Sequence, residues 1–290
     1  MRPILVLDQK EMLDEFTKFY KKVRNYDVSI YNRKGKTDRT IILVHGWLGD
    51  ASGLSLVADE ISENFNIYLL DLPGHGNSGQ FNYDKHSCDL NMSLFLEAVQ
   101  AVVEECNSKP WLVGHSMGGA VVQEYMTENS EKTQGAILVS TAADFRNIIP
   151  ENIEEFMIKE IVEVKFIARL LSDFFLNRAF HDLQDPEDKL IKKTMQEQLL
   201  STTFEVAICP YKYIISKWSM RGREIQYNKP VLIVVGKSDI ITPKEKAKEL
   251  HEMYPLSKIV EIEKGTHLLP LTHHSALASN IDKFIDENSQ

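Results

Sequence analysis

One stretch, WLVGHSMGGA at residues 111–120, constrains the fold of this chain more than any other. Its apolar start predicts a buried strand and the residues after it predict a helix, so the chain must turn sharply at Gly-x-Ser-x-Gly. Gly114 and Gly118 lack the side chains that would collide in such a tight turn, and Ser116 is expected in a strained conformation at its tip. The turn therefore presents the Ser116 hydroxyl beside a helix N-terminus, where developing negative charge is stabilised.

Other apolar runs predict buried strands that alternate with helical segments. Besides the strand that enters Gly114, the predicted strands cover residues 26–31, 40–44, 67–70, 135–140, 230–236 and 258–263. Such alternation is typical of an α/β fold with a mostly parallel sheet whose faces are covered by helices. Near the N-terminus, apolar residues between Glu11 and Val23 recur at helical spacing and predict a short helix.

The alternation stops after residue 144. From about Phe145 to Tyr227 no buried strand is predicted, and apolar residues recur at helical spacing. We therefore predict an α/β core formed by residues 1–144 and 228–290, with residues 145–227 inserted as a helical cap over the site. The Phe, Met, Ile and Trp residues of this cap indicate a largely apolar pocket.

Composition and charge exclude several classes of partner. The formal net charge is -9 and basic residues cluster only in short pairs, which argues against nucleic acid or an anionic membrane as the main partner. The apolar run at residues 4–7 is too short for a signal peptide or a membrane span, so we expect a cytoplasmic protein. The 3 cysteines are widely spaced, which predicts free thiols and argues against a zinc site.

Four residues follow predicted strands at the edge of the sheet where ligands bind: Trp47, Ser116, Asp239 and His267. Serine is a poor nucleophile near neutral pH, so it needs a base within hydrogen-bond reach and a group that orients this base. His267 lies in a Gly-containing loop after the last predicted strand, which makes it the candidate base. Asp239 is favoured as the acid that orients His267, and Asp144, which also follows a strand, remains the alternative.

Two backbone N–H groups complete the candidate site. Met117 directly follows Ser116 at the helix N-terminus, so its N–H is a natural donor to an oxyanion. Gly46 follows the buried run at residues 40–44 and allows a close approach of the backbone to a ligand. The N–H of Trp47, the next residue, can then point at a ligand oxygen.

As a set, five segments of this chain resemble the α/β-hydrolase superfamily. They are HGWLG at 45–49, DLPGHGNS at 71–78, GHSMGG at 114–119, GKSDIITP at 236–243 and GTH at 265–267. The resemblance implies a mostly parallel sheet of about eight strands flanked by helices, with a helical cap inserted after the sixth strand. It also implies Ser116 as nucleophile with Asp239 and His267 as its partners, and the N–H groups of Trp47 and Met117 as the oxyanion hole.

Some branches of the superfamily do not fit these residues. Ser116 separates the chain from haloalkane dehalogenases and epoxide hydrolases, which carry Asp there, and His115 and Met117 depart from the Gly-Gly-Ser-Trp-Gly of proline iminopeptidases. The Arg that often follows the elbow glycines in a menaquinone-pathway synthase is Ala120 here. We therefore expect a serine esterase that cleaves small-molecule esters through an acyl-enzyme, as a monomer or homodimer and without a cofactor or metal.

Two alternatives remain open. The same Ser-His-Asp set could cleave a carbon–carbon bond or a thioester, which substrate tests would separate. The fold could also serve as a ligand-binding receptor with little or no turnover. A pure binder does not need all three residues, which argues against the receptor.

Overall fold

The computed structural model describes residues 12–80, 89–146 and 204–289, together with residues 189, 191–193 and 195–196. Within these ranges the strands form one sheet with bounds β1 (Thr17–Val23), β2 (Tyr26–Arg33), β3 (Thr40–Val44), β4 (Asn66–Leu70), β5 (Gly79–Gln80), β6 (Trp111–His115), β7 (Gly135–Val139), β8 (Val231–Gly236) and β9 (Ser257–Ile262). Their order across the sheet is β1-β2-β4-β3-β6-β7-β8-β9, and the short β5 pairs with β2.

The helices of the described ranges are α1 (Ser55–Glu60), α2 (Met92–Val103), α3 (Met117–Glu128), α4 (Phe204–Pro210), α5 (Lys244–Met253), α6 (Leu269–Thr272) and α7 (His274–Asn288). A 3₁₀ turn at Ala51–Leu54 leads into α1, and a second one at Ser130–Lys132 follows α3. None of the described helices combines the length and the apolar character needed to cross a membrane.

The direction of the strands agrees with the predicted α/β-hydrolase fold. β1, β2 and β4 pair antiparallel, whereas every neighbouring pair from β4 to β9 is parallel. The prediction of a mostly parallel sheet of eight strands is confirmed, with the short β5 added. Because the carboxyl ends of parallel strands meet at one edge, the loops after β3, β6, β8 and β9 gather there.

The core consists of two apolar layers, one on each face of the sheet. Strand β3 is buried along its whole length, with Ile42 and Val44 in one layer and Ile41 and Leu43 in the other. Helices α2 and α3 cover the first layer, and α1 and α7 cover the second. Burial on both faces explains why this strand is a continuous apolar run in the sequence.

The predicted N-terminal helix between Glu11 and Val23 is confirmed only at Met12 and Leu13, which are helical, and is wrong for the rest of that stretch. Thr17–Val23 is strand β1, and Val23 lies opposite Tyr26 in the antiparallel pair with β2. Arg24, in the two-residue turn between these strands, has φ = 52°, as tight hairpin turns require. The sheet offers this segment a full ladder of backbone hydrogen bonds, which outweighs the helical spacing of a few apolar residues.

Most of the predicted cap lies outside the described residues, so the boundaries 145–227 stay a prediction. Its described part includes α4 and the π-helical turn Tyr211–Ile215 that follows it. Pro210 is the last residue of α4. Because proline has no N–H to donate to the preceding turn, regular α-helical bonding changes at this point.

The cysteines depart in part from the prediction. Cys106 is free and half-buried, but Cys209 is disulfide-bonded, and its partner lies outside the described residues. Wide spacing and an odd number argue against a framework of several bridges, but they leave room for a single one.

Candidate active site

The chain turns sharply at Ser116, between the end of β6 and the start of α3. Ser116 has φ = 52° and ψ = -120°, a conformation that is costly for a residue with a side chain. Neighbouring backbone holds it there, since the Ser116 N–H donates to the carbonyl of Val139 at 3.0 Å. The hydroxyl of Thr141 donates to the Ser116 carbonyl at 2.7 Å. The strain is therefore balanced by hydrogen bonds from the end of β7.

The glycines on either side of Ser116 lie where no side chain fits. A Cβ atom on Gly114 would lie 2.5 Å from the carbonyl oxygen of Gly118. A Cβ atom on Gly118 would overlap the carbonyl oxygens of Val44 and His45 at the end of β3. Helix α3 thus begins in direct contact with the strands beside it, as the motif predicts.

Three of the predicted site residues lie within hydrogen-bond distance of one another. Nε2 of His267 is 2.9 Å from Oγ of Ser116, and Nδ1 of His267 is 3.1 Å from Oδ2 of Asp239. His267 and Asp239 are both buried. An imidazole in this position is able to accept the hydroxyl proton at Nε2 while Nδ1–H donates to the carboxylate.

Asp239 lies in a tight turn directly after β8. Its Oδ1 accepts the N–H groups of Ile241 at 2.9 Å and Thr242 at 2.8 Å, and its Oδ2 accepts the Thr242 hydroxyl at 2.8 Å. Burial acts to raise the pKa of this carboxyl, but the charge and hydrogen bond of His267, together with the bonds from Thr242, hold the pKa below its ordinary value. Asp239 is therefore ionised at neutral pH.

The backbone brings the loop of Asp239 against the loop of His267. Gly236 ends β8 and Gly265 follows β9, and a Cβ atom on Gly236 would overlap the carbonyl group of Gly265. The Ser238 N–H donates to the Gly265 carbonyl at 2.8 Å. Glycine at these two positions allows the close approach that places the carboxylate beside the imidazole.

Asp144, the alternative acid, lies elsewhere. Its carboxylate pairs with Arg146 at 2.6 Å and Arg221 at 3.4 Å, and its backbone bridges to Ser219. Burial acts to raise the pKa of Asp144, but hydrogen bonds and charge from Arg146 lower it. In the described residues Asp144 therefore joins the loop after β7 to residues 219–221.

The loop after β3 lies against Ser116. A Cβ atom on Gly46 would lie 3.2 Å from Cβ of Ser116. His45 holds this loop, since its Nδ1–H donates to the Gly46 carbonyl at 2.8 Å and its Nε2 accepts the Leu72 N–H at 3.0 Å. Burial lowers the pKa of His45, which keeps the imidazole in the neutral form that this bonding needs.

The two candidate oxyanion donors, Trp47 and Met117, lie on the two loops that meet at Ser116. Neither of their backbone N–H groups donates to another described residue. The Trp47 indole N–H donates to the carbonyl of Ala207 in α4 at 2.9 Å, and its ring packs on Tyr211 with centroids 5.7 Å apart. The loop after β3 is therefore tied to the described part of the predicted cap.

Two residues that sequence reasoning did not assign also belong to this site. His115 donates from Nε2 to the backbone carbonyl of His267 at 2.9 Å, and their rings lie 5.3 Å apart. Burial, with a smaller effect of the His267 charge, lowers the pKa of His115 to about 3. Thr242 is fully buried against Asp239 and His267. The only sequence signal was position: one residue precedes Ser116, and the other follows Asp239 in the same turn.

No metal site accompanies this arrangement in the part of the chain that the structure describes. Among these residues, no group of three or more His, Cys, Asp or Glu side chains could hold a metal ion. The histidines near Ser116 are instead engaged with backbone carbonyls or with Asp239.

A family model described as "Serine aminopeptidase, S33" matches residues 35–271. The chain belongs to this family of α/β hydrolases. It is therefore an enzyme of the hydrolase class, and the superfamily predicted from its motifs is confirmed.

Relatives and solved structures of similar fold cover nearly the whole chain. A pimeloyl-[acyl-carrier protein] methyl ester esterase of Aliivibrio fischeri is 22% identical over 257 residues, which cover 86% of this chain and 94% of the relative. An esterase of Exiguobacterium antarcticum has a TM-score of 0.78 at 16% identity, covering 92% of this chain and 98% of its own. A 2-hydroxy-6-oxo-6-phenylhexa-2,4-dienoate hydrolase of Rhodococcus has a TM-score of 0.75 at 18% identity, covering 94% and 99%. At these identities the structures show the shared fold.

Proposed function

We propose that this enzyme hydrolyses carboxylic esters with Ser116 as nucleophile, His267 as general base and acid, and Asp239 as the orienting carboxylate. The observation that carries the proposal is the continuous chain of hydrogen bonds: 2.9 Å from Ser116 Oγ to His267 Nε2, and 3.1 Å from His267 Nδ1 to Asp239 Oδ2. Serine requires such a base to act near neutral pH. The curated relatives named as esterases support the choice of bond.

The reaction proceeds in two halves. His267 takes the proton of Ser116 as Oγ attacks the ester carbonyl, and the imidazolium then gives this proton to the departing alcohol, which leaves an acyl-enzyme. In the second half, water loses a proton to His267 and attacks the acyl carbonyl. The acid product leaves as the proton returns to Ser116.

Negative charge develops on the carbonyl oxygen in both halves. The backbone N–H groups of Met117 and Trp47 are assigned to bind this oxyanion. Met117 is the first residue of α3, so the N-terminal end of the helix dipole adds to the stabilisation. In the described residues neither N–H has another acceptor. Binding of a substrate oxygen would therefore break no hydrogen bond between these residues.

Asp239 keeps His267 in the required tautomer. Its pKa lies below the ordinary value, because His267 and Thr242 outweigh the effect of burial, so it is a carboxylate throughout the neutral range. A carboxylate only accepts hydrogen bonds, which directs Nδ1–H toward Asp239 and leaves the lone pair of Nε2 toward Ser116. Asp239 also stabilises the imidazolium that forms during each half-reaction.

The substrate class we propose is a small to medium ester with an apolar acyl or alcohol part. The apolar residues of the predicted cap support this class, as does the aromatic contact of Tyr211 with Trp47, which follows Gly46 in the loop that lies against Ser116. The name of the Aliivibrio fischeri relative gives a methyl ester of a carrier-bound acid as its substrate. From that relative we infer only the type of bond, an ester, and we assign no particular acid.

The first test measures release of nitrophenol from short- and medium-chain nitrophenyl esters. We expect turnover that rises with acyl length, and a loss of at least about 10³-fold in Ser116→Ala. Ser275→Ala makes the same chemical change at an exposed serine of α7 and should retain the wild-type rate. Asp239→Asn should lose roughly 10³-fold or more, because an amide favours the wrong imidazole tautomer.

A panel of other bonds separates the alternatives. Faster turnover of a thioester, a carbon–carbon substrate or an aminoacyl nitroanilide than of any ester would mean that the same three residues cleave a different type of bond. Absence of Ser116-dependent turnover for every substrate, with ligand-dependent stabilisation of the fold, would overturn the enzyme mechanism in favour of a receptor.

A further inference from the structure

Thr242 occupies a position between the two side chains that act on Ser116. It is fully buried in the turn after β8. Its hydroxyl oxygen lies 2.8 Å from Oδ2 of Asp239 and 3.2 Å from Nδ1 of His267, while Oδ2 and Nδ1 are 3.1 Å apart. Three polar atoms of three residues therefore form a closed triangle with sides of hydrogen-bond length.

The number of protons in this triangle decides which atoms donate. Ionised Asp239 has none to give, so the hydroxyl of Thr242 donates to Oδ2. Nδ1–H of His267 then points between two acceptors, Oδ2 of Asp239 and the hydroxyl oxygen of Thr242. Two donors converge on one carboxylate oxygen, and the other oxygen accepts two backbone N–H groups.

We propose that Thr242 is a positioning residue for the hydrolysis proposed above, and that its hydroxyl holds Oδ2 of Asp239 in line with Nδ1 of His267 and lowers the charge that this oxygen presents to the imidazole. The role rests on the proposed function of Ser116, His267 and Asp239. Thr242 itself does not touch the substrate.

Local geometry makes Thr242 suited to this role. Pro243 follows it, which restricts its backbone to extended conformations, and its branched side chain has few χ1 rotamers. The Thr242 N–H also bonds Oδ1 of Asp239 at 2.8 Å. Thr242 therefore donates a hydrogen bond to each oxygen of the Asp239 carboxylate. Rotation about the Cβ–Cγ bond of Asp239 would break both hydrogen bonds.

Removal of the Thr242 hydroxyl should change the pH dependence of the reaction, which a loss of packing alone would not do. Oδ2 without this donor carries more negative charge toward Nδ1–H, which favours the imidazolium. Among the described residues, the ionisable groups facing the His267 ring are Asp239, from the turn after β8, and His115, from the end of β6. His115 stays neutral because burial lowers its pKa to about 3, so a change in the acid limb reports on Asp239.

The test compares Thr242→Val, which removes the hydroxyl at nearly constant shape, with Thr242→Ser, which keeps it. In Thr242→Val we expect kcat/KM for a nitrophenyl ester to fall about tenfold, mostly in kcat, and the acid limb of its pH profile to move up by about half a pH unit. Thr242→Ser should stay within about twofold of the wild type in both measurements. Thr242→Ala, which adds no bulk, repeats the first comparison if the valine variant does not fold.

A double-mutant cycle with Asp239→Asn shows whether Thr242 acts through the carboxylate. In the Asp239→Asn background, Thr242→Val should cost less than about twofold. Equal losses in both backgrounds, or a loss with an unmoved pH profile, would assign Thr242 a merely structural role and overturn the proposal. A wild-type rate in Thr242→Val would do so as well.

One readout needs no substrate and separates this proposal from the function it rests on. The measurement is proton NMR of the Nδ1 proton of His267, to be identified by its loss in His267→Gln; this signal should shift in Thr242→Val but not in Thr242→Ser. A shift without any ester turnover would support the triangle and contradict the proposed hydrolysis. An unmoved signal in an enzyme with Ser116-dependent turnover would contradict Thr242 alone.

Discussion

Two histidines, the buried His75 and the partly buried His115, predict that the protein loses stability as the pH falls. Burial lowers the pKa of His75 and of His115 to about 3, from an ordinary value of 6.5. Nearby histidines add to the effect: His45 acts on His75, and His267 acts on His115. Protonation would place a poorly solvated charge beside another imidazole, so both rings stay neutral in the folded protein.

The sign follows from the protons bound in each state. Between pH 3 and 6.5 the unfolded chain protonates His75 and His115, whereas the folded protein does not. The unfolded state therefore binds more protons, and the free energy of unfolding rises with pH through this window. The contribution is fully present above 6.5 and is lost as the pH falls toward 3.

A modest fall in pH already removes a measurable part of this stability. From about pH 7.5 to about pH 5.5, each histidine removes about 1.4 kcal/mol from the free energy of unfolding, and the pair removes about 2.7 kcal/mol. A mesophilic domain has only about 5–15 kcal/mol in total. The loss is therefore large enough to measure by chemical denaturation.

The assay is urea unfolding at both pH values for the wild type, His115→Gln and His251→Gln. A glutamine at 115 does not titrate, and its amide can still donate toward the His267 carbonyl. The difference between the two pH values should shrink by about 1.4 kcal/mol in His115→Gln. It should stay unchanged in His251→Gln, because His251 is exposed on α5.

Comparison of two pH values within one variant cancels any stability lost through packing. His75→Gln should show the same reduction as His115→Gln, since the pKa of both histidines is lowered to about 3. A His115→Gln variant that keeps the full pH dependence of the wild type would mean that the folded protein accommodates a protonated His115. The reasoning from burial would then be refuted.

Three further predictions concern packing around the site. Gly118→Ala should lower the melting temperature and ester hydrolysis strongly, because its methyl group would overlap carbonyl oxygens at the end of β3, whereas Gly53→Ala, with no atom within 4 Å of the new methyl group, should change neither. Trp47→Phe, which loses the indole N–H bond of 2.9 Å to Ala207, should reduce the free energy of unfolding by about 1 kcal/mol in urea; an unchanged value would show that this bond adds no stability. Asp144→Asn should lower the melting temperature because it weakens two ion pairs, but keep ester hydrolysis within about threefold of the wild type; a loss as large as that of Asp239→Asn would reverse the assignment of the acid.

The sequence predicted those parts of the fold that depend on short-range patterns. Thr40–Val44 is a continuous apolar run because it is buried on both faces, and this pattern is visible without the structure. Gly114 was predictable from local sterics, because a Cβ atom there would overlap Gly118 within the same turn, whereas Gly118 is required by its contact with the end of β3. The candidate residues Ser116, Asp239 and His267 were found from their positions after predicted strands.

Other features depend on contacts that no local pattern contains. Strand β1 resembles a helix in its apolar spacing, and only its pairing with β2 makes it a strand. Thr242 and His115 look ordinary in the sequence, because their relevance comes from bonds to residues of other loops. The disulfide of Cys209 likewise depends on which residues the fold brings together.

The choice between Asp239 and Asp144 shows what the sequence and the tertiary structure each contribute. By itself, the sequence left two acids that follow predicted strands after Ser116, namely Asp144 and Asp239. Tertiary structure decided between their positions, because β8 lies between β7 and β9 in the sheet. Contact between the backbones of Gly236 and Gly265 brings the turn after β8 against the loop of His267, whereas Asp144 pairs with Arg146 and Arg221.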